Sequence, residues 1–540
     1  MARTALMRSL QRLAREHAEA ERLGVDAAEL RGCRAEAATL TRRRLLAGAG
    51  AGAAAVLLAR TPPMALGAEA PRIAIIGGGI AGLTAAVTLA DAGLASTVYE
   101  AAGRIGGRMH SDRRGYWTDG QTSEWCGELI DSNHKTILHL AQRFRLTTSD
   151  LFAAEPNGSE DTLSFFGSYY PEAQADVDFQ AVHQALQRDV QAASYPTTAF
   201  ISTPGGIALD DMSVYDWIES RVPGGHGSPL GMYLDTAYNE EYGAETTDQS
   251  ALNLVYLLGY KARPGNFSIF GASDERYHIA GGNEQLPEAM AASLPARAVQ
   301  RGARMTAIAR RPDGRIVLTI GGSRVVADHV ILTLPFAVLR TLDYAGAQFE
   351  PLKVTAIEEL GRGRNAKLQL QFTSRFWNST GKWPGVSNGN SYSDTGYQNT
   401  WDVTRAQTGA SGILVLYTGG DIAGSLAPSA PYGDASTDPA VGGYANAFLP
   451  GLDAVYPGAV AHWNGKATLS APDLDPNLLA SYVYYRVGQY HRFGGWEKLR
   501  QGNVHFAGEY CSQDFQGFME GGASEGVRAA NEILADLKHA

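Results

Sequence analysis

The sequence predicts an α/β fold, with a dinucleotide-binding module near its start and further mixed α+β structure behind it. Two observations carry that prediction. Strand, glycine turn, helix, second strand and acid follow one another in order between Arg72 and Glu100. The 540 residues are also too many for one simple core and call for two or three domains, with the composition of an ordinary globular chain: 44% hydrophobic and 19% charged.

The first strand is the β-branched apolar run ending at Ile76, and the helix after it spans 80–92. Between them stands Gly77-x-Gly79-x-x-Gly82. Gly77 allows the tight turn, Gly79 lets the backbone approach a ligand, and Gly82 lets helix and strand pack closely. The helix then directs its N-terminal N–H groups at the turn, a site for a pyrophosphate. A second strand, 95–99, ends in Glu100, placed to accept hydrogen bonds from an adenosine ribose. Just beyond, Arg104-x-Gly106-Gly107-Arg108 forms a second phosphate-facing loop, offering backbone N–H groups and an arginine.

Charge and cysteine content narrow the function. The formal net charge is −10, and residues 1–68 hold 11 Arg, no Lys and 6 acids, so the body is near −15. Nucleic acid and anionic membranes are poor partners for such a body. Cys33, Cys126 and Cys511 form no disulfide framework, and no Cys/His cluster has metal-ligand spacing, so no metal is expected.

Residues 1–70 are expected to be a leader outside the fold. Arg42-Arg43-Arg44 is a twin-arginine pattern, followed by an apolar run, 45–59, too short to span a bilayer. Export by the twin-arginine route follows, to the periplasm or the medium, with no membrane attachment after processing. Residues 131–275 read as mostly helical, with an amphipathic segment at 136–144, candidate helices at 213–219 and 232–242, and an apolar stretch at 250–260; Tyr256 and Tyr260 read as core. Strands 302–310 and 315–320 form a hairpin over Pro312-Asp313-Gly314, and 328–335 is a buried strand ending at a proline. Residues 364–372 alternate polar and apolar, a strand with one buried face, and 412–418 is another apolar strand.

The glycine turn, Glu100 and the Arg104–Arg108 loop together resemble the flavin-containing amine oxidase superfamily, which includes monoamine, polyamine and L-amino acid oxidases. The C-terminus agrees: Ala507-Gly508-Glu509 and Phe515-Gln-Gly517-Phe518-Met519-Glu520-Gly521 resemble the stretch that closes over the flavin. The resemblance spans nearly all of 71–540. It implies a Rossmann-like FAD-binding domain of the glutathione-reductase type (71–130, 276–345, 496–540) interleaved with a substrate domain (131–275, 346–495). It implies FAD as cofactor, with Gly127, Glu128, Gly508, Glu509, Gly517, Phe518 and Met519 joining the residues above in holding it. Lys367 matches the lysine that reaches the reactive flavin nitrogen through a water. Trp463 and the segment from Ser481 to Gly488 match the substrate side, where Tyr482 and Phe518 form an aromatic cage. Monoamine oxidases carry a flavin-bonding cysteine where this chain has Ser481, so non-covalent FAD is expected.

The implied reaction is oxidative deamination of an L-amino acid or a primary amine, with oxygen reduced to hydrogen peroxide. Arg486 is a candidate for a substrate carboxylate and tips the choice toward an amino acid. Glu128, Asp131, Glu240, Glu241 and Glu245 are candidates for selecting a cationic side chain. A polyamine oxidase, a dehydrogenase or desaturase using another acceptor, and a non-catalytic flavin-binding protein remain alternatives. Monomer and homodimer are both open.

Overall fold

A computed structural model describes residues 70–259 and 273–539. The segment expected to be a twin-arginine leader, Cys33 and Tyr260 lie outside the described residues.

The nucleotide-binding core is a five-stranded parallel sheet in the order Val504–Phe506, His329–Leu332, Ile73–Ile76, Thr97–Tyr99, Val299–Gln300. Ile73–Ile76 sits at its centre, buried on both faces, which is why it reads as an unbroken apolar run. Helix Ile80–Asp91 follows the glycine turn, and the C-terminal helix Met519–His539 packs against it. Small residues make that contact close: a Cβ on Gly526 would stand 2.3 Å from the Ala81 carbonyl oxygen, and one on Gly522 would stand 2.9 Å from Ile80. The last helix begins at Met519, so its first turn lies against Ile80 beside the glycine turn. The predicted hairpin is present as Met305–Arg310 and Ile316–Ile320, with Ser323–Ala327 as a third strand.

The second sheet has eight strands: Tyr432–Asp434, Trp463–Ser470, Asn365–Phe372, Gly412–Gly419, Asn399–Asp402, Ser387–Ser393, Glu160–Phe165 and Ser168–Tyr169. Its pairs are antiparallel except Ser387–Ser393 with Glu160–Phe165. Asn365–Phe372 corrects an expectation. Both of its faces are buried. The apolar face, Leu368, Leu370 and Phe372, packs into a core with helix Pro439–Val455. The polar face is covered by 116–126, where Gln369 Nε2 donates to the Glu124 carbonyl (3.0 Å) and Gln371 Nε2 to Gln121 Oε1 (2.9 Å). Alternation reports polarity, and here paired amides replace solvent.

Residues 131–275 are less helical than their sequence suggests, because 160–165 and 168–169 join the second sheet. The helices there begin where their caps dictate. Ser213 Oγ accepts from Asp216 N and starts Val214–Arg221. Ser228 caps Pro229–Tyr242, which ends on Gly243 in the left-handed region (φ 65°).

Candidate active site

One elongated cavity runs from the glycine turn to the second sheet. At the nucleotide end, Gly77 has φ +109°, and a Cβ there would lie 2.3 Å from Thr333 Oγ1. A Cβ on Gly82 would lie 2.0 Å from the Gly77 carbonyl oxygen. At Gly79 nothing stands closer than 3.8 Å, so the turn is sealed on two sides and open on the cavity side. Glu100 accepts from the N–H groups of Gly78 and Ala102, both at 2.7 Å, and each carboxylate oxygen keeps a lone pair for a ribose hydroxyl. Gly106 and Gly107 both take positive φ, and Gly106 bridges to Gly79, so the second loop closes over the first.

Arg108 ties three distant segments together. Its Nη1 donates to the Ser481 carbonyl at 2.8 Å and to Glu509 Oε1 at 2.9 Å, while Glu509 Oε2 accepts from Gly517 N at 2.9 Å. Arg104 lines the cavity with its guanidinium over the Tyr432 ring. Gly127 (φ +69°) sits where a Cβ would meet the Arg108 carbonyl at 2.5 Å. Gly508, Met519 and Gly522 complete this end, with the first turn of the C-terminal helix facing the cavity. Glycines crowded on the outside and open on the inside, a ribose acid and a helix N-terminus fit a bound dinucleotide.

The other end is built by strand register. Ser470, Lys367, Tyr417 and Asn399 are successive cross-strand partners, so one row of side chains projects from a single face, and all four line the cavity. Lys367 Nζ donates to Glu128 Oε2 at 2.6 Å, and Trp401 Nε1 donates to Glu128 Oε1 at 2.9 Å. Burial pushes the Glu128 carboxyl up, but Lys367 and Trp401 outweigh it and hold it below the usual carboxylate range. Tyr482 donates to the Glu240 carbonyl (3.3 Å) and stands 3.0 Å from the Tyr417 hydroxyl, which leaves Tyr417 as the donor between them. Burial raises both phenols well above their ordinary value, so both stay neutral. Phe518 lines the same cavity, with its ring against His134.

Three acids border this end: Glu240 and Glu241, from the C-terminal turn of helix Pro229–Tyr242, and Glu275. Burial, then Glu241, raises the Glu240 carboxyl well above its usual range. Glu275 is pushed up to about 8 by burial and then by Asp131 and Glu241. Its backbone has φ 46°, uncommon for a side-chain-bearing residue, and its N–H donates to Asp131 Oδ1 at 3.0 Å. Asp131 and Glu245 are not among the lining residues; Glu245 bonds Asn239 and the Asp421 N–H.

Two expected substrate residues are elsewhere. Arg486 pairs with Asp248 at 3.2 Å, both about half exposed, because its segment bridges back to Gln249 rather than entering the cavity. Trp463 begins the strand whose far end, Ser470, reaches the cavity, and its indole donates to the Lys466 carbonyl. Conversely, Tyr417, Asn399, Trp401 and Glu275 were not singled out in the sequence. The first three needed the sheet register, and Glu275 carries no motif. Cys126 and Cys511 are separate buried thiols.

The fold and the site define a dinucleotide-dependent oxidoreductase, with one cavity running from the nucleotide turn to the second sheet. The chain belongs to the flavin-containing amine oxidoreductase family, whose model matches residues 80–534. Polyamine oxidase 2 of Arabidopsis thaliana is 26% identical over 489 residues, 86% of this chain and 88% of that protein. An L-amino-acid oxidase of Sistrurus catenatus edwardsii is 23% identical over 491 residues, 86% of each. Among solved structures, cyclohexylamine oxidase from Brevibacterium oxydans IH-35A shares the fold with a TM-score of 0.73 at 20% identity, over 87% of this chain and all of that one. Putrescine oxidase bound to putrescine does so at 0.69 and 18% identity, over 86% of this chain and 99% of that one. The cofactor is FAD. At the expected attachment position stands Ser481, whose Oγ donates to Asn365 Oδ1 at 2.5 Å.

Proposed function

We propose that the chain is an FAD-dependent oxidase of cationic amines, acting on a primary amine whose far end carries a second positive charge. The observation that supports this reading is the acidic end of the cavity, which Glu240, Glu241 and Glu275 border. Glu240 and Glu241 stand at a helix C-terminus, whose partial negative charge adds to theirs. Carboxyls that burial and mutual repulsion push up are relieved by a bound ammonium, so the site gains most from a cation. The amino acid reading leaned on Arg486, and with that residue on Asp248 the cavity favours an amine without a carboxylate.

FAD supplies the two-electron acceptor for a hydride from the carbon bearing the amine. Tyr482, Tyr417 and Phe518 flank the amine and keep water out, favouring its neutral form. Lys367, one donor spent on Glu128, keeps two N–H groups to hold a water at the cavity. Loss of a hydride and a proton leaves an imine, which water hydrolyses to an aldehyde and ammonia; oxygen takes two electrons and two protons to give hydrogen peroxide. A peroxide-coupled screen of mono-, di- and polyamines against the twenty amino acids tests the reading. Preference for diamines supports it, and preference for neutral amino acids refutes it.

We also propose export by the twin-arginine route, on the strength of Arg42-Arg43-Arg44 and the apolar run behind them. Replacing Arg42, Arg43 and Arg44 together by lysine should hold the enzyme in the cytoplasm; unchanged export would refute the route.

A further inference from the structure

Two histidines and a carboxylate converge on the parallel sheet, outside the cavity. His329 opens strand His329–Leu332, His505 is the middle residue of Val504–Phe506, and Asp536 lies near the end of helix Met519–His539. The two strands pair in parallel with Ile331 opposite His505. His329, two residues before Ile331, therefore projects from the same face as His505. One ligand atom from each of His329, His505 and Asp536 lies within 4.8 Å of the other two. The His505 side chain is fully buried; its Nδ1 faces Glu532 Oε2 at 2.7 Å, and its Nε2 has no hydrogen-bond partner. His329 Nδ1 is likewise buried and unpartnered. Asp536 uses Oδ2 to hold Arg500 at 2.6 Å, which leaves Oδ1. Two orphaned imidazole nitrogens beside a carboxylate in one place require an account.

We propose that His329, His505 and Asp536 form a structural site for a divalent transition metal of the zinc class. Two imidazole nitrogens and one carboxylate oxygen are a donor set suited to zinc, with water as the fourth ligand on the partly exposed side of His329 and Asp536. Glu532 behind His505 completes a carboxylate–histidine–metal arrangement: it holds the ring proton on Nδ1 and presents the Nε2 lone pair. Arg528 pairs with both Glu525 and Glu532 and keeps the supporting carboxylate charged. A zinc–ligand bond of roughly 2.1 Å in tetrahedral geometry sets donor atoms about 3.4 Å apart, so the cluster closes by small rotamer shifts. The metal would staple the end of the C-terminal helix to two strands that lead directly to Thr333 and Glu509 at the cofactor cavity. The three positions are too far apart in the sequence to form a metal motif, so only the fold brings them together.

FAD-loaded full-length enzyme, stripped with EDTA and dialysed, is titrated with Zn²⁺ by calorimetry and with Co²⁺ by visible spectroscopy. One equivalent of Zn²⁺ per chain, Co²⁺ ligand-field bands and a rise in melting temperature of about 2–3 °C at saturation are expected. His329→Ala abolishes the equivalent and Asp536→Asn weakens it at least about tenfold, with FAD content and turnover unchanged. No stoichiometric binding by the wild type, or equal binding by wild type and both variants, overturns the site. Both variants alter partly exposed residues, so the test does not rest on a buried His505 variant folding.

Discussion

Lys367 Nζ stands 2.6 Å from Glu128 Oε2, with both residues less than a tenth exposed. Removing one partner of such a pair leaves an uncompensated buried charge, which costs about 3–5 kcal/mol. Lys367→Met should therefore lose stability of that order in a denaturant titration, and Lys367→Met/Glu128→Gln should recover most of it. Turnover should fall at least about tenfold in both, because the donors at the cavity are gone in both. A double variant that regains activity along with stability would reduce Lys367 to a structural role.

The glycine turn makes a separate prediction. A Cβ at residue 82 would collide with the Gly77 carbonyl oxygen at 2.0 Å, a backbone atom that cannot rotate away. Gly82→Ala should purify with little or no flavin absorbance, whereas acid precipitation of the wild type should release all of its FAD into the supernatant. Flavin retained in the acid pellet would contradict non-covalent binding.

Glu275 and Asp131 give a pH dependence of definite sign. Burial pushes them up to about 8 and about 7. Each folded-state value lies above the unfolded one, so their contribution to stability is complete below about pH 4 and is lost progressively as pH rises from there through about 7 to 8. Glu275→Gln removes one proton site. Its melting temperature should gain on the wild type between about pH 5 and about pH 8, and the difference should level off above that. Over the same interval the wild type should bind a diamine more tightly, as the carboxylates ionise. A constant difference in melting temperature across that range would refute the assignment.

Arg486 supplies a control. It pairs with Asp248 at a half-exposed position, so Arg486→Ala should leave KM and kcat within about twofold and stability within about 1 kcal/mol. A large rise in KM for a carboxylate-bearing substrate would return Arg486 to the site.

The nucleotide end was legible in the sequence because its chemistry is local. Gly77, Gly79, Gly82 and Glu100 lie within one strand–turn–helix–strand unit, and their spacing states their roles. Lys367, Tyr482 and Phe518 were found through the family resemblance, and the fold brings all three to one cavity. The row Ser470, Lys367, Tyr417, Asn399 was not legible, since it exists only once four strands take their register. Arg486 and Trp463 failed for a related reason. Neither proximity in sequence to Tyr482 nor a match to a family segment fixes which way a strand end or a turn points. Glu275 entered the site through a backbone conformation that composition cannot announce.

The most direct test compares 1,5-diaminopentane with L-lysine, which differ only by a carboxylate, in an oxygen-consumption assay of the wild type and Glu240→Gln. The acidic cavity predicts a kcat/KM for the diamine at least about tenfold above that for lysine, and a loss of most of that preference in Glu240→Gln. Faster turnover of lysine, or a preference untouched by the substitution, would contradict the assignment of this enzyme to cationic amines.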